Sequence, residues 1–181
     1  FVPSFLSLEE ISAAVSEGAR LGIPTAAHCI GGQGLKDCID GGVDVIEHMY
    51  MASEQDVERL AASRCVVDLT SGIFLDPSRE EFLSPANALK VRQNRSRVRE
   101  NVARIIKARL PFVLGTDAYH GFLYREVGYA VELGADPVTA IQGVTSRAAR
   151  VCRLEDRIGK LENGMEADII AVEGNPLEDV S

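Results

Sequence analysis

Short apolar segments with strand character alternate with helix-like segments along most of this chain, and this alternation constrains the fold more than any other feature. The four strand-like segments are "IPTAAHC" at 23–29, "VDVIEH" at 43–48, "CVVDLT" at 65–70 and "LPFVLGTD" at 110–117. Strands that alternate with helices imply a parallel sheet with right-handed crossovers, and near-continuous apolar strands fit a sheet covered on both faces. The pattern therefore predicts an α/β fold with four βα units. A closed eight-stranded barrel needs about 250 residues, so these 181 residues supply about half of one.

Capping residues mark the predicted helices. Ser7 precedes an apolar helical pattern with Glu10 three residues on and Gly22 as its stop, which predicts a helix over about 8–20. The other predicted helices span about 33–40, the segment after Ser53, about 86–108 and the segment after Asp136. The tail "IGKLENGMEADIIAV" at 158–172 instead predicts two short strands about the turn at 162–164.

Composition limits the possible partners of the chain. Hydrophobic residues make up 46% and charged residues 25%, which is typical of a soluble globular protein. The net charge of −8 disfavours a phosphate backbone, so we expect no nucleic-acid partner. No apolar run reaches the roughly 20 residues that span a bilayer, so we expect no membrane association.

The four cysteines lie at positions 29, 38, 65 and 152 without a C-x-x-C spacing, and this scatter favours reduced core thiols over disulfides or a zinc ribbon. The amino terminus lacks a signal-peptide pattern, so we expect a cytoplasmic location. Because Phe1 is not an initiator methionine, the sequence leaves open whether a targeting segment lies upstream.

His28, His48 and Asp117 each come at the carboxyl end of a predicted strand. Each residue alone has a simple structural explanation, but functional groups in parallel βα folds gather at this edge of the sheet. Two imidazoles and a carboxylate at one edge are donors that zinc and similar divalent ions prefer. The joint pattern predicts a metal site.

Side-chain alternation predicts which way these residues point. Ile46 and His48 share one face, with small residues such as Ala26 and Gly115 toward a narrow barrel centre. Glu47 is then expected to point the opposite way from His48, toward the helical layer, as a structural carboxylate and not a ligand.

The segments "PTAAHC", "GVDVIEHM", "LGTDAYHG" and the tail "IGKLENGMEADIIAVEGNPLEDV" together resemble the carboxyl-terminal half of a metal-dependent amidohydrolase, nearest to the imidazolonepropionase and prolidase-like branch. The resemblance implies a (β/α)₈ TIM-like barrel in which His28 and His48 bind the metal and Asp117 is both ligand and general base. It also implies two parts, half of the barrel over residues 1–155 and strands of a flanking β-sandwich over residues 156–181.

The chain also departs from this family pattern. The family needs a His-x-His pair from its first strand and, in two-metal members, a carboxylated lysine from its fourth. Neither is present. The segment that ends at His28 matches the family's fifth strand, and Lys36 follows this strand in the chain, whereas the family's lysine precedes it. The missing half is explained if the chain is a fragment, or if a second chain completes the barrel through the open sheet edges, so we expect an oligomer or a partner half.

Three further residues are candidates for substrate binding: His120, Tyr119 and Arg125. An arginine fork suits a substrate carboxylate, whereas His120 is equally explained as a solvent-facing loop residue. The resulting hypothesis is a metal-dependent hydrolase of amide-type C–N bonds in small substrates such as dipeptides, acyl amino acids, cyclic amides or imidazolones. Zinc is the expected divalent metal, as one or two ions in the complete protein. The alternative is an inactive fragment or a noncatalytic scaffold.

Overall fold

The computed structural model describes residues 4–117 and 120–180 and contains one parallel sheet with the order β1-β2-β3-β4. The strands are β1 (Ala26–Cys29), β2 (Val45–His48), β3 (Val66–Leu69) and β4 (Phe112–Leu114). Each strand pairs in parallel with the next one along the chain. The predicted α/β fold with a four-stranded parallel sheet is confirmed.

The helices follow the predicted alternation. The α-helices are α1 (Leu8–Leu21), α2 (Gln33–Gly41), α3 (Glu54–Ala61), α4 (Gly72–Leu75), α5 (Pro85–Lys107), α6 (Leu123–Glu132), α7 (Pro137–Val144) and α8 (Ser146–Val151). Short 3₁₀ helices cover Pro77–Phe82 and His120–Phe122. Among the described residues, none of these helices combines the length and apolar character needed to cross a membrane.

The predicted helix stops and starts have clear local causes. At α1 the Ser7 hydroxyl accepts from the Glu10 amide at 3.3 Å while the Glu10 carboxylate accepts from the Ser7 amide at 2.7 Å. Gly22 closes this helix in the left-handed region with φ 70°. The single helix expected after Asp136 divides into α7 and α8 at Thr145, whose hydroxyl donates back to the Ile141 carbonyl at 2.8 Å. Such a bond to the preceding turn bends helices.

The hydrophobic core lies between one face of the sheet and the helices. On this face Ile46, Val67 and Leu69 are fully buried. They pack with Leu35 of α2 and Ile105 of α5 in one continuous cluster. The strand centres thereby fix the positions of the strand ends, where the polar residues lie.

The tail does not form the expected strands. In the described part of the chain, residues 152–180 contain no strand or helix, so the prediction of strands over 158–172 is wrong for this structure. Three of its large apolar side chains stay outside the core, with Leu161 77%, Ile169 66% and Ile170 87% exposed. A strand needs a partner that completes its hydrogen-bond ladder, and the tail pairs with no strand here. The division of the chain at residue 155 stays a prediction.

Candidate metal centre

The sheet brings the ends of three strands to one edge. His28 is the penultimate residue of β1, His48 is the last residue of β2, and Asp117 comes three residues after the end of β4. Because all four strands run in parallel, these residues lie at the carboxyl edge of the sheet.

The two histidine side chains meet at this edge. Their ring centroids are 4.5 Å apart and the ring planes are inclined by 65°. His48 is only 8% exposed, whereas His28 is exposed to solvent. One buried and one accessible imidazole are therefore in edge-to-face contact.

The His48 ring is held from two sides. Its Nδ1 lies 2.6 Å from the Thr70 hydroxyl, and the ring stacks on Tyr50 with centroids 5.2 Å apart. The Tyr50 hydroxyl in turn donates to the Thr70 carbonyl at 2.9 Å. Because Thr70 engages Nδ1, the other ring nitrogen, Nε2, is left for a ligand.

Electrostatics keep the His48 ring neutral. Burial lowers the pKa of His48, and the nearby His28 ring lowers it further, while the charge of Asp117 opposes both effects. A neutral imidazole is the form that binds metal ions. The environment of His48 thus suits a ligand at neutral pH.

The backbone at the end of β2 is unusual. His48 and the fully buried Met49 both lie in the left-handed region, with φ of 80° and 53°. Non-glycine residues adopt this region rarely. The turn breaks the two-residue period of the strand at His48 and swings its ring toward His28.

Asp117 lies near the histidines without forming a closed cluster with them. It is exposed, has φ 57°, and its charge acts on both His48 and Tyr50. Among the described residues, no group of three or more His, Cys, Asp or Glu side chains stands close enough together to hold a metal ion. The structure therefore joins His28 to His48, with Asp117 at the rim.

Glu47 does not point toward the helical layer, so the direction predicted from side-chain alternation is wrong. It lines a cavity of ≈ 350 Å³ with Ala26, Asp68 and Val113, on the sheet face opposite Ile46 and the core. Glu47 pairs in register with His28 of β1 and Asp68 of β3. The prediction failed because it counted the period through His48, where the left-handed turn interrupts it.

Asp68 is a polar residue of this face that the sequence analysis missed. Burial raises the pKa of Asp68 to about 8, and Glu47 adds to this shift through a hydrogen bond and through its negative charge. Gly115 leaves the space that Asp68 occupies, since a Cβ at this position would lie 2.7 Å from the Asp68 Oδ2 atom. An acidic residue inside the apolar segment "CVVDLT" was the available signal.

The predicted substrate-binding residues have different outcomes. Tyr119 lies outside the described residues, and of His120 only the backbone is described, at the start of the second 3₁₀ helix. Arg125 donates to Asp76 at 2.6 Å and to the Ser78 hydroxyl at 2.9 Å. A substrate carboxylate would have to compete with Asp76 for Arg125, and the predicted role of Arg125 stays a prediction.

A buried ion pair joins the two segments that follow β3 and β4. The side chains of Arg79 and Glu126 are fully buried and 3.0 Å apart, and both Glu126 oxygens accept from the Gly72 amide at 3.0 Å. Arg79 and Arg125 also lie over the Phe122 ring, at 5.4 and 4.7 Å from its centroid. These contacts tie the segment after Asp117 to the segment after β3.

Comparison with curated proteins gives two informative relatives. An ochratoxinase from Aspergillus niger is 33% identical over 98% of this chain and 38% of its own length. An imidazolonepropionase from Desulfotalea psychrophila is 24% identical over 93% of this chain and 38% of its own length. The chain thus spans about two fifths of the length of the curated relatives it matches.

Solved structures agree with these relatives. A Xaa-Pro dipeptidase crystallised with methionine in its active site is 30% identical, with a TM-score of 0.84 over 97% of this chain and 45% of that chain. The crystal structure of A. niger ochratoxinase is 31% identical, with a TM-score of 0.80 over 97% and 41%. Residues 5–181 match the Amidohydrolase family, and this chain therefore belongs to that family.

Proposed function

We propose that this chain carries half of the active site of a metal-dependent hydrolase that cleaves amide-type C–N bonds in small substrates. The single observation that carries the proposal is the meeting of the His28 and His48 rings at 4.5 Å on the carboxyl edge of the sheet. Family membership supports hydrolysis. The metal, the substrate and the role of the missing barrel half are parts of the proposal.

The two histidines fit a divalent metal ion by their chemistry. His48 is neutral, its Nδ1 is engaged by Thr70, and the accessible His28 supplies a second ring nitrogen. Zinc accepts such nitrogen donors together with a carboxylate oxygen, which Asp117 offers. A bound divalent metal lowers the pKa of a water toward 7 and polarises the scissile carbonyl. Whether one or two ions bind depends on ligands outside this chain.

The residues of this chain then have separate roles. Asp117 accepts the proton of the attacking water, because its carboxylate is exposed at the rim beside His48. Thr70 and Tyr50 fix the orientation of the His48 ring. His120, Tyr119 and Arg125 follow Asp117 in sequence and contact the rest of the substrate in this proposal.

The names of the relatives support the bond type. An Xaa-Pro dipeptidase acts on a dipeptide, and the ochratoxinase is a second relative at 30% identity or more. Dipeptides and acyl amino acids are therefore the first substrates to test, and cyclic amides or imidazolones the second, because an imidazolonepropionase also matches at lower identity.

A partner half completes the site in this proposal. The sheet has β1 and β4 at its two edges, and a strand edge presents unpaired amide and carbonyl groups that bind further strands. Two histidines and one carboxylate that are not preclustered hold a metal weakly. We therefore expect the chain alone to associate and to lack hydrolytic activity at an enzymatic rate.

Zinc binding to the purified chain tests the metal ligands directly. Titration calorimetry of His28→Ala and His48→Ala should show lost zinc binding, while His120→Ala, the chain's remaining histidine, serves as the matched control and should bind as the unmodified chain does. Zinc affinity that is unchanged in both His28→Ala and His48→Ala would contradict the assignment.

Activity tests the catalytic role. The chain is mixed with a separately expressed amino-terminal barrel half that bears His-x-His, and hydrolysis of an Xaa-Pro dipeptide is followed. Activity only after mixing, lost in Asp117→Asn but kept in the exposed control Asp168→Asn, is the expected result. Activity of the isolated monomer would show that no partner half is needed, and a metal-loaded mixture without activity on any amide would favour a noncatalytic scaffold.

A further inference from the structure

Two buried cysteines lie where the end of β1 packs against α2, and both line the same cavity. Cys29 is the last residue of β1, and Cys38 lies in the second half of α2. Both are buried free cysteines, 6% and 5% exposed. The Cys38 side chain lowers the pKa of Cys29, and the Cys29 side chain raises the pKa of Cys38, so the two side chains interact.

The helix geometry explains why the sulfur atoms can meet. Gly34 lies one turn before Cys38 and on the same face of α2, since residues i and i+4 are neighbours on a helix surface. A Cβ at Gly34 would lie 3.8 Å from the Cys29 sulfur. Side chains on a helix lean toward its amino terminus, so the Cys38 thiol leans toward the position of the Cys29 sulfur.

The paired thiols are reachable from a cavity. Cys29, Cys38 and Gly34 all line a cavity of ≈ 430 Å³, together with His28 and the exposed Phe5. A water molecule takes about 30 Å³ of liquid volume, so a peroxide molecule fits into this space. The other two cysteines do not line this cavity: Cys65 is buried with its thiol donating to the Val43 carbonyl at 3.1 Å, and Cys152 is exposed.

We propose that Cys29 and Cys38 are a modification site that hydrogen peroxide converts into an intramolecular disulfide. One thiol, as its thiolate, attacks an oxygen of the peroxide, so that an S–O bond forms and the O–O bond breaks with loss of hydroxide. The second thiol then attacks the sulfenic sulfur, an S–S bond forms, and the second oxygen leaves as water. Two thiols and one peroxide thus give one disulfide and two water molecules. This proposal does not rest on the proposed hydrolysis.

Peptide mapping of the unmodified chain tests the proposal. The reduced protein is treated with hydrogen peroxide, its remaining thiols are alkylated, and it is digested with trypsin without reductant. Lys36 lies between the two cysteines, so trypsin separates peptide 21–36, which contains Cys29, from peptide 37–59, which contains Cys38. The expected product is these two peptides joined by a disulfide that dithiothreitol reverses.

Two variants give the matched controls. Cys38→Ser should lose the linked peptide, and Cys152→Ser should form it to the same extent as the unmodified chain. Should Cys38→Ser fail to fold, phenylarsine oxide, which bridges two neighbouring thiols, should block formation of the linked peptide in the unmodified chain. The proposal is overturned if Cys29 and Cys38 stay alkylatable while Cys152 is oxidised, or if Cys29 is found linked to a different cysteine.

Discussion

Replacing Glu126 by glutamine should destabilise the fold strongly, because it removes the negative charge that pairs with the buried Arg79 guanidinium at 3.0 Å. Both side chains of the pair are fully buried, and the Glu126 carboxylate accepts from Arg79 and from the Gly72 amide. Burial raises the pKa of Glu126 to about 7, although Arg79 and the Gly72 amide oppose this shift. Measured at pH 8, above that pKa, the unmodified protein has Glu126 ionised.

The expected loss follows from the geometry of the pair. Breaking a buried ion pair by removing one partner typically costs about 3–5 kcal/mol in the free energy of unfolding. Asp76 remains 3.7 Å from the Arg79 guanidinium, which places the expected loss toward the lower end, about 3 kcal/mol. For a chain of this size each kcal/mol shifts Tm by roughly 2–4 °C. The Tm of Glu126→Gln should therefore be roughly 6–12 °C lower than that of the unmodified protein.

Urea denaturation followed by circular dichroism measures this loss. The control is Glu132→Gln, which removes one partner of the exposed pair between Arg99 and Glu132 and should cost less than about 1 kcal/mol. The double variant Arg79→Met with Glu126→Gln should recover most of the loss, since both charges of the pair are then removed together and Asp76 keeps its ion pair with Arg125. The reasoning is refuted if Glu126→Gln and Glu132→Gln have equal effects, or if the double variant is less stable than Glu126→Gln.

Three further predictions follow from the polar residues near the strand ends. Asp68 has a pKa raised from 3.8 to about 8 in the fold, so its contribution to stability is present below pH 3.8 and is lost as the pH rises through 8. Between pH 5 and pH 8, the free energy of unfolding of Asp68→Asn, measured by urea denaturation, should therefore rise by at least about 1.4 kcal/mol relative to that of the unmodified protein. Parallel curves of unfolding free energy against pH for the two proteins would contradict this. Gly115→Ala brings a methyl group to 2.7 Å from Asp68 and should lower the free energy of unfolding by about 1–3 kcal/mol. The control Gly128→Ala lies in a helix where a Cβ meets no atom within 4 Å, and it should raise the free energy of unfolding by about 0.5–1 kcal/mol. Equal shifts in Tm for the two variants would argue against the close contact at Gly115. Thr70→Val removes the hydroxyl beside Nδ1 of His48 and should weaken zinc binding about 10- to 100-fold in calorimetry, and unchanged affinity would show that Thr70 does not orient the ring.

The sequence predicted the sheet well because apolar strands and capped helices are local signals. The capping box at Ser7 and the strand that ends at His48 were both found within a residue or two of the predicted positions. These elements depend on side chains that lie next to each other in the chain, such as Ser7 and Glu10.

Features that depend on distant segments were not predictable in this way. The tail has strand-type residues such as Ile169 and Ile170, yet a strand forms only when a partner strand is present. The direction of Glu47 depended on the left-handed turn at His48, which no periodicity reveals. The pair between Arg79 and Glu126 joins residues 47 positions apart, and only the folded chain brings them together.

At position 48, in the left-handed turn at the end of β2, the residue that would be best for thermostability differs from the residue that metal binding needs. A non-glycine residue in the left-handed region lowers the free energy of unfolding by about 1–3 kcal/mol. Position 48 is in this region and is occupied by a histidine. A library randomised at position 48 and selected for heat resistance alone should enrich glycine and asparagine, the residues that tolerate such a backbone. Selection for zinc uptake should instead retain histidine. Directed evolution that screens only for folding would thus remove the residue that faces His28 and leave the rest of the sheet intact.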